Sequence, residues 1–187
     1  TVLCGQLEGH PYRDVFSTVY SDDEEGGRFA ALAMKERGRK DIVAVLGPQD
    51  NPAVVDRLRG YRAVLGEDLP DANVIYTGWN SGDGYQAMHQ ILAREIAFDG
   101  VLCGSDRIAA GVITALNEAG LSVPADVSVV GFDDHEIAAC CVPALTTVRQ
   151  PLREEGHMAA NIALDMITGA EPTTSVMHMQ LIQRDSL

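Results

Sequence analysis

The sequence is poor in aromatic and in basic residues, and each shortage excludes a class of protein. Aromatic residues make up 5% of the 187 positions, with a single Trp, while 46% are hydrophobic and 18 are Gly. That balance suits layered α/β packing better than an all-β sandwich. Fourteen Lys and Arg residues stand against 27 Asp and Glu, which gives a net charge of −13. Because nucleic-acid affinity depends on basic side chains that displace counterions from phosphates, this surface is not expected to hold DNA by itself.

Long hydrophobic runs and paired cysteines are also lacking. No stretch approaches the roughly 18 apolar residues that a membrane span needs, and residues 1–4 lack the basic start of a signal peptide. Cys4, Cys103, Cys140 and Cys141 form no Cys-x-x-Cys pair, so a disulfide framework or a zinc site fits poorly. We therefore expect a cytoplasmic protein with reduced thiols, no metal and no membrane contact. Redox sensitivity of the adjacent Cys140 and Cys141 is the less favoured alternative.

Short apolar runs alternate with amphipathic helical stretches along most of the chain. Helices are predicted over 24–37 and 108–119, and Gly38 and Gly120 follow them as C-terminal caps. One helical crossover between successive strands indicates right-handed βαβ units and a parallel sheet. A third helix is predicted over 86–94, a fourth over 153–167 and an edge strand over 176–182. Buried strands are predicted over 42–47, 74–77, 101–104 and 127–131.

The residues that follow these strands are of types that bind small polar ligands. In an open parallel sheet, ligands bind beyond the carboxyl ends of the strands. Trp79 can stack on the apolar face of a sugar ring. Arg57 and Asp133 can form charge-assisted hydrogen bonds to hydroxyl groups or to a carboxylate. With Ser105, these residues predict a binding site for a sugar or a similar polar molecule.

Each candidate also has a purely structural interpretation that the sequence leaves open. Trp79, the only Trp, is explained equally well as an anchor of the hydrophobic core. Arg57 fits a solvated helix face. Asp106 and Asp133 both precede helical stretches, where a short polar side chain caps the helix. For Asp106, capping is the favoured role.

Several segments taken together resemble the LacI/GalR family of bacterial transcriptional regulators. The most specific are VSVVGFDD at 127–134, PALTTVRQP at 143–151 and EGHMAA at 155–160. Supporting segments follow in the family's order at 22–28, 57–61, 105–111 and 120–126. The resemblance implies that the effector is contacted by Arg57, Trp79, Ser105, Asp133 and Gln150, of which Gln150 rests on the resemblance alone.

The resemblance implies a periplasmic-binding-protein-like fold of type I, with two doubly wound α/β lobes. Residues 1–20 would be a remnant of the N-terminal lobe, and 21–148 the C-terminal lobe. Residues 149–170 would form a helix that returns to the N-terminal lobe, and 171–187 a terminal strand of the C-terminal lobe. One lobe is thus expected to be essentially complete, with parts of the other. The family's DNA-binding headpiece and the start of the first lobe are expected to be missing, so DNA would be bound only through a headpiece outside this sequence.

The expected function is allosteric sensing of a small effector by a homodimeric repressor. A sugar, a nucleoside or a purine would fit, and binding would change the inter-lobe geometry and the affinity for an operator. Neither catalysis nor a cofactor is expected, because the sequence has no nucleophile elbow, Walker loop or dinucleotide fingerprint. The consecutive residues 133–136 cannot all point at one metal ion. A periplasmic-type sugar-binding protein for transport is the first alternative, and an α/β enzyme is the less favoured one.

Overall fold

The computed structural model describes residues 1–5, 15–94 and 96–187. These residues form two compact units, and the chain changes unit after Asp22, after Arg149 and after Met179. Unit 1 comprises Thr1–Asp22 and Gln150–Met179, and unit 2 comprises Asp23–Arg149 and Gln180–Leu187. Residues 6–14, part of the predicted lobe remnant, lie outside the described residues. The strands and longer helices, in chain order, are β1 (Val2–Cys4), β2 (Ser17–Ser21), α1 (Asp23–Glu36), β3 (Ile42–Leu46), α2 (Pro52–Leu65), β4 (Val74–Tyr76), α3 (Ser81–Leu92), β5 (Gly100–Cys103), α4 (Asp106–Glu118), β6 (Ser128–Asp133), α5 (Glu136–Cys140), β7 (Thr146–Arg149), α6 (Leu152–Ile167), β8 (Thr174–Met177) and β9 (Gln180–Ile182).

Unit 2 is built on a six-stranded sheet in the order β4-β3-β5-β6-β7-β9. The first five strands are parallel, and β9 pairs antiparallel with β7. The chain leaves β3 toward β4 on one side and then returns to add β5 on the other. The strand order therefore reverses at β3, and the carboxyl ends of β3 and β5 flank the point at which doubly wound sheets bind ligands. The predicted doubly wound parallel sheet is confirmed.

Both faces of this sheet are covered by helices, which explains the uninterrupted apolar runs of the strands. Successive side chains of a strand point to opposite faces. Val43 and Val45 pack with residues of α3 and α4 in one core cluster, whereas α1 packs on the other face against β5, β6 and β7. A methyl group at Gly100 would meet Ile42 and Met34 of that second face. The core of unit 2 is therefore two apolar layers with the sheet between them.

Two helix pairs cross at such short range that only glycine fits. Gly27 of α1 lies against Gly60 of α2, and a Cβ at Gly27 would be 2.3 Å from the carbonyl oxygen of Arg57. Gly84 of α3 and Gly111 of α4 are placed in the same way. A Cβ at Gly111 would be 1.9 Å from the carbonyl oxygen of Ser81. The backbones of each pair are thus in direct contact.

Residues 184–187 fasten the end of β9 to the middle of the same sheet. The buried Ser186 hydroxyl donates to the carbonyl oxygen of Val129 at 2.6 Å and accepts from the amide of Thr146 at 2.8 Å. The amide of Asp185 donates to the carbonyl oxygen of Ala144 at 2.9 Å. This tail therefore belongs to the core of unit 2.

Unit 1 contains a parallel three-stranded sheet in the order β1-β2-β8, accompanied by α6. The buried Ser21 hydroxyl at the end of β2 donates to Glu155 Oε2 of α6 at 2.9 Å. Within α6, Glu155 and Ile162 are the buried residues. Leu164 and Ile167 are exposed, so α6 buries little of its apolar surface within the described part of unit 1.

The single edge strand predicted over 176–182 was wrong. That stretch holds two strands, because β8 pairs with β2 in unit 1 and β9 pairs with β7 in unit 2. Residues 171–179, part of the segment 171–187 that was assigned to the second lobe, belong to unit 1. One apolar run serves two sheets here, and its pattern does not reveal the change. The predicted lobe boundaries stay predictions.

Candidate functional site

The carboxyl ends of β3 and β5 meet in an almost bare stretch of backbone. A Cβ at Gly104, after β5, would lie 3.0 Å from the amide nitrogen of Gly47, after β3. The indole ring of Trp79 covers Gly47, where a Cβ would be 2.4 Å from the ring. Trp79 is partly buried and packs against the core cluster of the α3–α4 face. The indole thus joins the core and the reversal point of the sheet.

Arg57 lies beside this point and is held in a fixed orientation. Its side chain is 5% exposed, so the interpretation as a solvated helix face was wrong. Its Nε donates to Asp23 Oδ1 at 2.7 Å, and one Nη donates to the carbonyl oxygen of Gly104. The guanidinium carbon lies 3.8 Å from the centre of the Phe132 ring, a cation–π contact. These contacts use two of the five N–H donors of a guanidinium and fix its plane.

Asp133 ends β6 beside Arg57 in a strained backbone conformation. Its Oδ1 lies 3.6 Å from an Nη of Arg57, and its side chain is 32% exposed. Asp133 has φ 109° and Asp134 has φ 55°. Non-glycine residues at such angles cost of order 1–3 kcal/mol each and persist only where the surroundings enforce them. The turn presents a partly exposed carboxylate next to a buried guanidinium.

Two arginines hold the side chain of Asp134. Arg149 Nε donates to Asp134 Oδ2 at 2.7 Å, and Arg184 Nη2 donates to Oδ1 at 2.6 Å. Burial pushes the pKa of Asp134 up, but the hydrogen bonds from Arg184 and Arg149 outweigh it and lower the pKa. The sequence analysis missed both arginines. The position of Arg149 at the end of β7, on the same sheet edge, was the available signal.

The carboxylate of Asp106 is completely buried and binds the same turn. Its Oδ2 accepts from the backbone amide of His135 at 2.7 Å, and its Oδ1 accepts from Thr147 Oγ1 at 2.5 Å. Burial raises the pKa of Asp106 to about 7, against the lowering effect of the two hydrogen bonds. The predicted capping role of Asp106 was wrong, because the side chain of Ser105 caps α4 by accepting from the amide of Ile108 at 3.2 Å.

Asp133 is not a helix cap either. His135 caps α5, with its Nδ1 accepting from the amide of Ile137 at 3.4 Å. Helix α3 begins earlier than predicted, because Asn80 and Asp83 form a capping box at its start. The helices α3, α4 and α5 thus begin shortly after β4, β5 and β6, at one edge of the sheet.

The structure brings four of the five predicted effector contacts to this edge of unit 2. Arg57 touches Gly104 and Asp133, Ser105 follows Gly104, and Trp79 covers Gly47. Ser105 is buried, with 4% exposure, and its oxygen serves as the cap of α4. Gln150 belongs to unit 1. As effector contacts, all five residues remain predictions.

A cavity of about 500 Å³ opens at the starts of α3, α4 and α5, and none of the five predicted residues lines it. The described cysteines are all free, and Cys140 borders this cavity. Burial raises the pKa of the Cys103 thiol well above its usual range. Among the described residues, no three His, Cys, Asp or Glu side chains are grouped to hold a metal ion. The cavity is lined by Asn80, Ser81, Arg107, His135, Glu136, Ile137 and Cys140.

No helix within residues 1–5, 15–94 and 96–187 combines the length and the hydrophobicity that crossing a bilayer requires.

Residues 31–187 match the sequence profile of the periplasmic binding protein-like domain. The chain is 38% identical over 184 residues to the HTH-type transcriptional repressor PurR of Pectobacterium atrosepticum, covering 96% of this chain and 54% of the relative. It is 36% identical, with the same coverage, to the repressor of that name in Escherichia fergusonii. The chain therefore spans about half the length of the curated relatives it matches.

Two solved structures show the same fold with a sugar present. The transcriptional regulator CelR in complex with cellobiose superposes with a TM-score of 0.92 at 35% identity, covering 100% of this chain and 58% of that one. A LacI family transcriptional regulator from Enterococcus faecalis V583 with bound ribose gives a TM-score of 0.85 at 26% identity, covering 99% of this chain and 76% of that one.

Proposed function

We propose, from the premise that this chain belongs to the periplasmic binding protein-like domain family, that it is the effector-sensing domain of a LacI-type transcriptional regulator. The resemblance to LacI-type regulators inferred from the sequence is confirmed by the relatives and the structural neighbours. One observation carries the proposal. A buried, oriented Arg57 and a partly exposed, strained Asp133 lie together beside the point at which the strand order of the sheet reverses.

The proposed effector is a sugar or another small polar metabolite. The Asp133 carboxylate would accept hydrogen bonds from ligand hydroxyl groups, and Arg57 would offer the donors that Asp23 and Gly104 do not use. The Trp79 ring would stack on an apolar ligand face. Ser105 would donate its hydroxyl hydrogen, because its oxygen already accepts from Ile108. Gln150 is proposed as a further contact on the ground of family resemblance. The cellobiose and ribose in the structural neighbours support this choice of ligand class.

The regulatory part of the proposal concerns partners outside the described units. With a net charge of −13, the chain would depend on a separate basic headpiece to bind an operator. The regulator would act as a homodimer in the cytoplasm, where bacterial operators are found, and would catalyse no reaction. Effector binding would shift operator affinity by no more than the difference in effector affinity between the two states of the protein.

Titration with small molecules tests the binding part directly. We would follow the fluorescence of Trp79, the only indole in the chain, while adding ribose, cellobiose, nucleosides and purine bases. One class is expected to give a saturable change. Asp133→Asn is expected to weaken that binding by about tenfold or more, because it removes a charged hydrogen-bond acceptor.

The matched control is Asp126→Asn. Asp126 precedes β6 at the opposite end of the same strand, where its carboxylate accepts from the amide of Ser122 at 2.8 Å. This variant is expected to bind as the unaltered protein does. An equal loss in both variants, or no saturable response to any of these compounds from folded protein, would contradict the proposal.

A further inference from the structure

Two consecutive aspartates at the end of β6 form a turn with positive φ, 109° at Asp133 and 55° at Asp134. Aspartate tolerates the left-handed region near φ 55° better than most residues do, but φ 109° at Asp133 lies outside that region. Other parts of unit 2 must therefore hold Asp133 in this conformation, and the polar contacts of the turn's backbone show which residues do so.

A chain of buried and partly buried hydrogen bonds runs from the turn to the first residue of α4. The amide of Asp134 donates to Thr147 Oγ1 at 3.3 Å, and the Thr147 hydroxyl donates to Asp106 Oδ1 at 2.5 Å. The amide of His135 donates to the other oxygen, Asp106 Oδ2, at 2.7 Å. The Asp106 carboxylate thus accepts a hydrogen bond from the His135 amide directly and is linked to the Asp134 amide through the Thr147 hydroxyl group.

The space for this carboxylate is provided by a glycine in the neighbouring strand. A Cβ at Gly131 of β6 would lie 2.3 Å from Asp106 Oδ1. A buried carboxylate is costly to desolvate, and two hydrogen bonds offset only part of that cost. Helix capping does not require this residue, because Ser105 already caps α4. The role that remains for the Asp106 carboxylate is to hold the turn.

We propose that Asp106 is a positioning residue that, together with Thr147, holds the turn at Asp133 and Asp134 and so aims the Asp133 carboxylate at the effector beside Arg57. The inference deepens the proposed function and rests on it for the role of Asp133. The state of the turn itself can be measured without any effector. Failure of the inference and failure of the proposed function are therefore distinguishable.

Ionisation of Asp106 would be coupled to the strength of this hold. Burial and the charges of Asp133 and Asp134 raise its pKa to about 7, while the bonds from Thr147 and His135 lower it. The thiols of Cys103 and Cys141 also face it from β5 and from the end of α5. Hydrogen bonds to a charged carboxylate are stronger than those to a neutral group. The turn should therefore be held less firmly as the pH falls through about 7.

Amide hydrogen exchange at Asp134 and His135 is the primary test. Both amides are expected to be protected in the unaltered protein. Asp106→Ala should raise exchange at both by at least about tenfold, and Asp106→Asn, which keeps one acceptor oxygen, by less. Thr147→Val should expose the Asp134 amide, whereas Thr147→Ser keeps the hydroxyl group and should preserve protection. If Asp106→Ala does not fold, the Thr147 pair still decides.

The matched control for a carboxylate that binds backbone amides is Asp99→Asn. Asp99 accepts from the amides of Lys40 and Asp41 near the start of β5, at the other end of the sheet. It should leave exchange at His135 unchanged. A pH series from 6 to 8 provides a readout that a merely structural role would not move. After correction for intrinsic exchange rates, His135 protection should rise with pH in the unaltered protein and stay flat in Asp106→Asn.

The second measurement is the affinity for whichever sugar, nucleoside or purine changes Trp79 fluorescence. Asp106→Asn and Thr147→Val should weaken binding severalfold, and Thr147→Ser and Asp99→Asn should not. Undiminished protection at both amides in Asp106→Ala or in Thr147→Val overturns the inference, and so does a relaxed turn with unchanged affinity. If no compound binds the unaltered protein, the proposed function fails, and hydrogen exchange alone decides whether Asp106 holds the turn.

Discussion

The helix pairs α1–α2 and α3–α4 cover opposite faces of one sheet and cross through the same device, a glycine on each helix. What surrounds each crossing differs. Beside Gly60, the α1–α2 pair carries buried charge, with Arg57 of α2 bound to Asp23 of α1 at 2.7 Å. Beside Gly111, the α3–α4 pair is lined by apolar side chains such as Met88 and Val112. Identical backbone packing thus accommodates an ion pair on one face and a hydrophobic layer on the other.

The two crossings are expected to contribute differently to the stability of unit 2. A buried ion pair is weak evidence for stability, because desolvation of both groups offsets their attraction. The hydrophobic layer gains free energy from every apolar group it buries. At the sheet edge, the charged pair places Arg57 beside Asp133, whereas α4 contributes the buried carboxylate of Asp106. The close crossing at Gly27 and Gly60 brings the helix that carries Arg57 directly onto the helix that carries Asp23.

Loss of Arg57 should have the largest effect on this comparison. Arg57→Ala removes the buried guanidinium that contacts Asp23 at 2.7 Å and is expected to lower the free energy of unfolding by about 3–5 kcal/mol. Arg62→Ala, on the same helix, is the control. Its partner Asp71 is 95% exposed, so the loss should be below about 1 kcal/mol. Urea denaturation measures both. Equal losses would mean that the buried charge is not what distinguishes the α1–α2 face.

Added methyl groups at the two crossings should have the next largest effects. Gly60→Ala and Gly111→Ala both force a Cβ against backbone oxygens and should each cost about 3 kcal/mol. Gly82→Ala in α3 meets nothing within 4 Å and should be neutral or slightly stabilising. Effector affinity then separates the faces. We expect Gly60→Ala to weaken it more than Gly111→Ala does in the fraction that folds, because Arg57 lies one turn from Gly60.

A further effect is the pH dependence contributed by Asp106, on the α4 side of the sheet. Burial raises its pKa to about 7, above the 3.8 of an exposed Asp. The native state therefore holds this proton more tightly than the unfolded state does. The resulting stability is present below about pH 4 and is lost as the pH rises to about 7, by at most roughly 1.4 kcal/mol per pH unit.

Denaturation of the unaltered protein and of Asp106→Asn between pH 4.5 and 8 isolates this contribution. The difference in unfolding free energy between the two should fall with rising pH and level off above about 7. A difference that is flat across this range would show that Asp106 has an ordinary pKa. Folding and turn order should respond to this one proton in opposite directions, because the charged state that is proposed to hold the turn is the one that stabilises the fold less.

Much of unit 2 was predictable from the sequence because its strands are buried on both faces. Strands that are buried on both faces consist of continuous apolar residues, which can be recognised in the sequence. The start of α3 was missed because Gly82 and Gly84 lower helix propensity. Asn80 and Asp83 nevertheless have the spacing of a capping box, which marks a helix start. The change of sheet between β8 and β9 was invisible, since an apolar run does not state which sheet it joins.

The candidate site was likewise only partly predictable from the sequence. The carboxyl-edge rule located Arg57, Trp79, Ser105 and Asp133 without any structure. The roles of Asp106 and Asp134 depend on partners 29 to 50 residues away in sequence, His135, Thr147 and Arg184. No local pattern encodes such pairings. The strain at Asp133 was equally hidden, because tertiary contacts impose it against the local preference of aspartate.

The tail, in which Ser186 is hydrogen-bonded to Val129 and Thr146, also bears on how the protein folds during synthesis. A ribosome releases β3 to β7 early, but the strand and tail that complete their sheet emerge only after α6 and β8 of the other unit. Because domains usually fold as they are synthesised, the edge of β7 stays open while unit 1 is being completed. Completion of the sheet of unit 2 therefore depends on β9 and its tail, which are synthesised after α6 and β8.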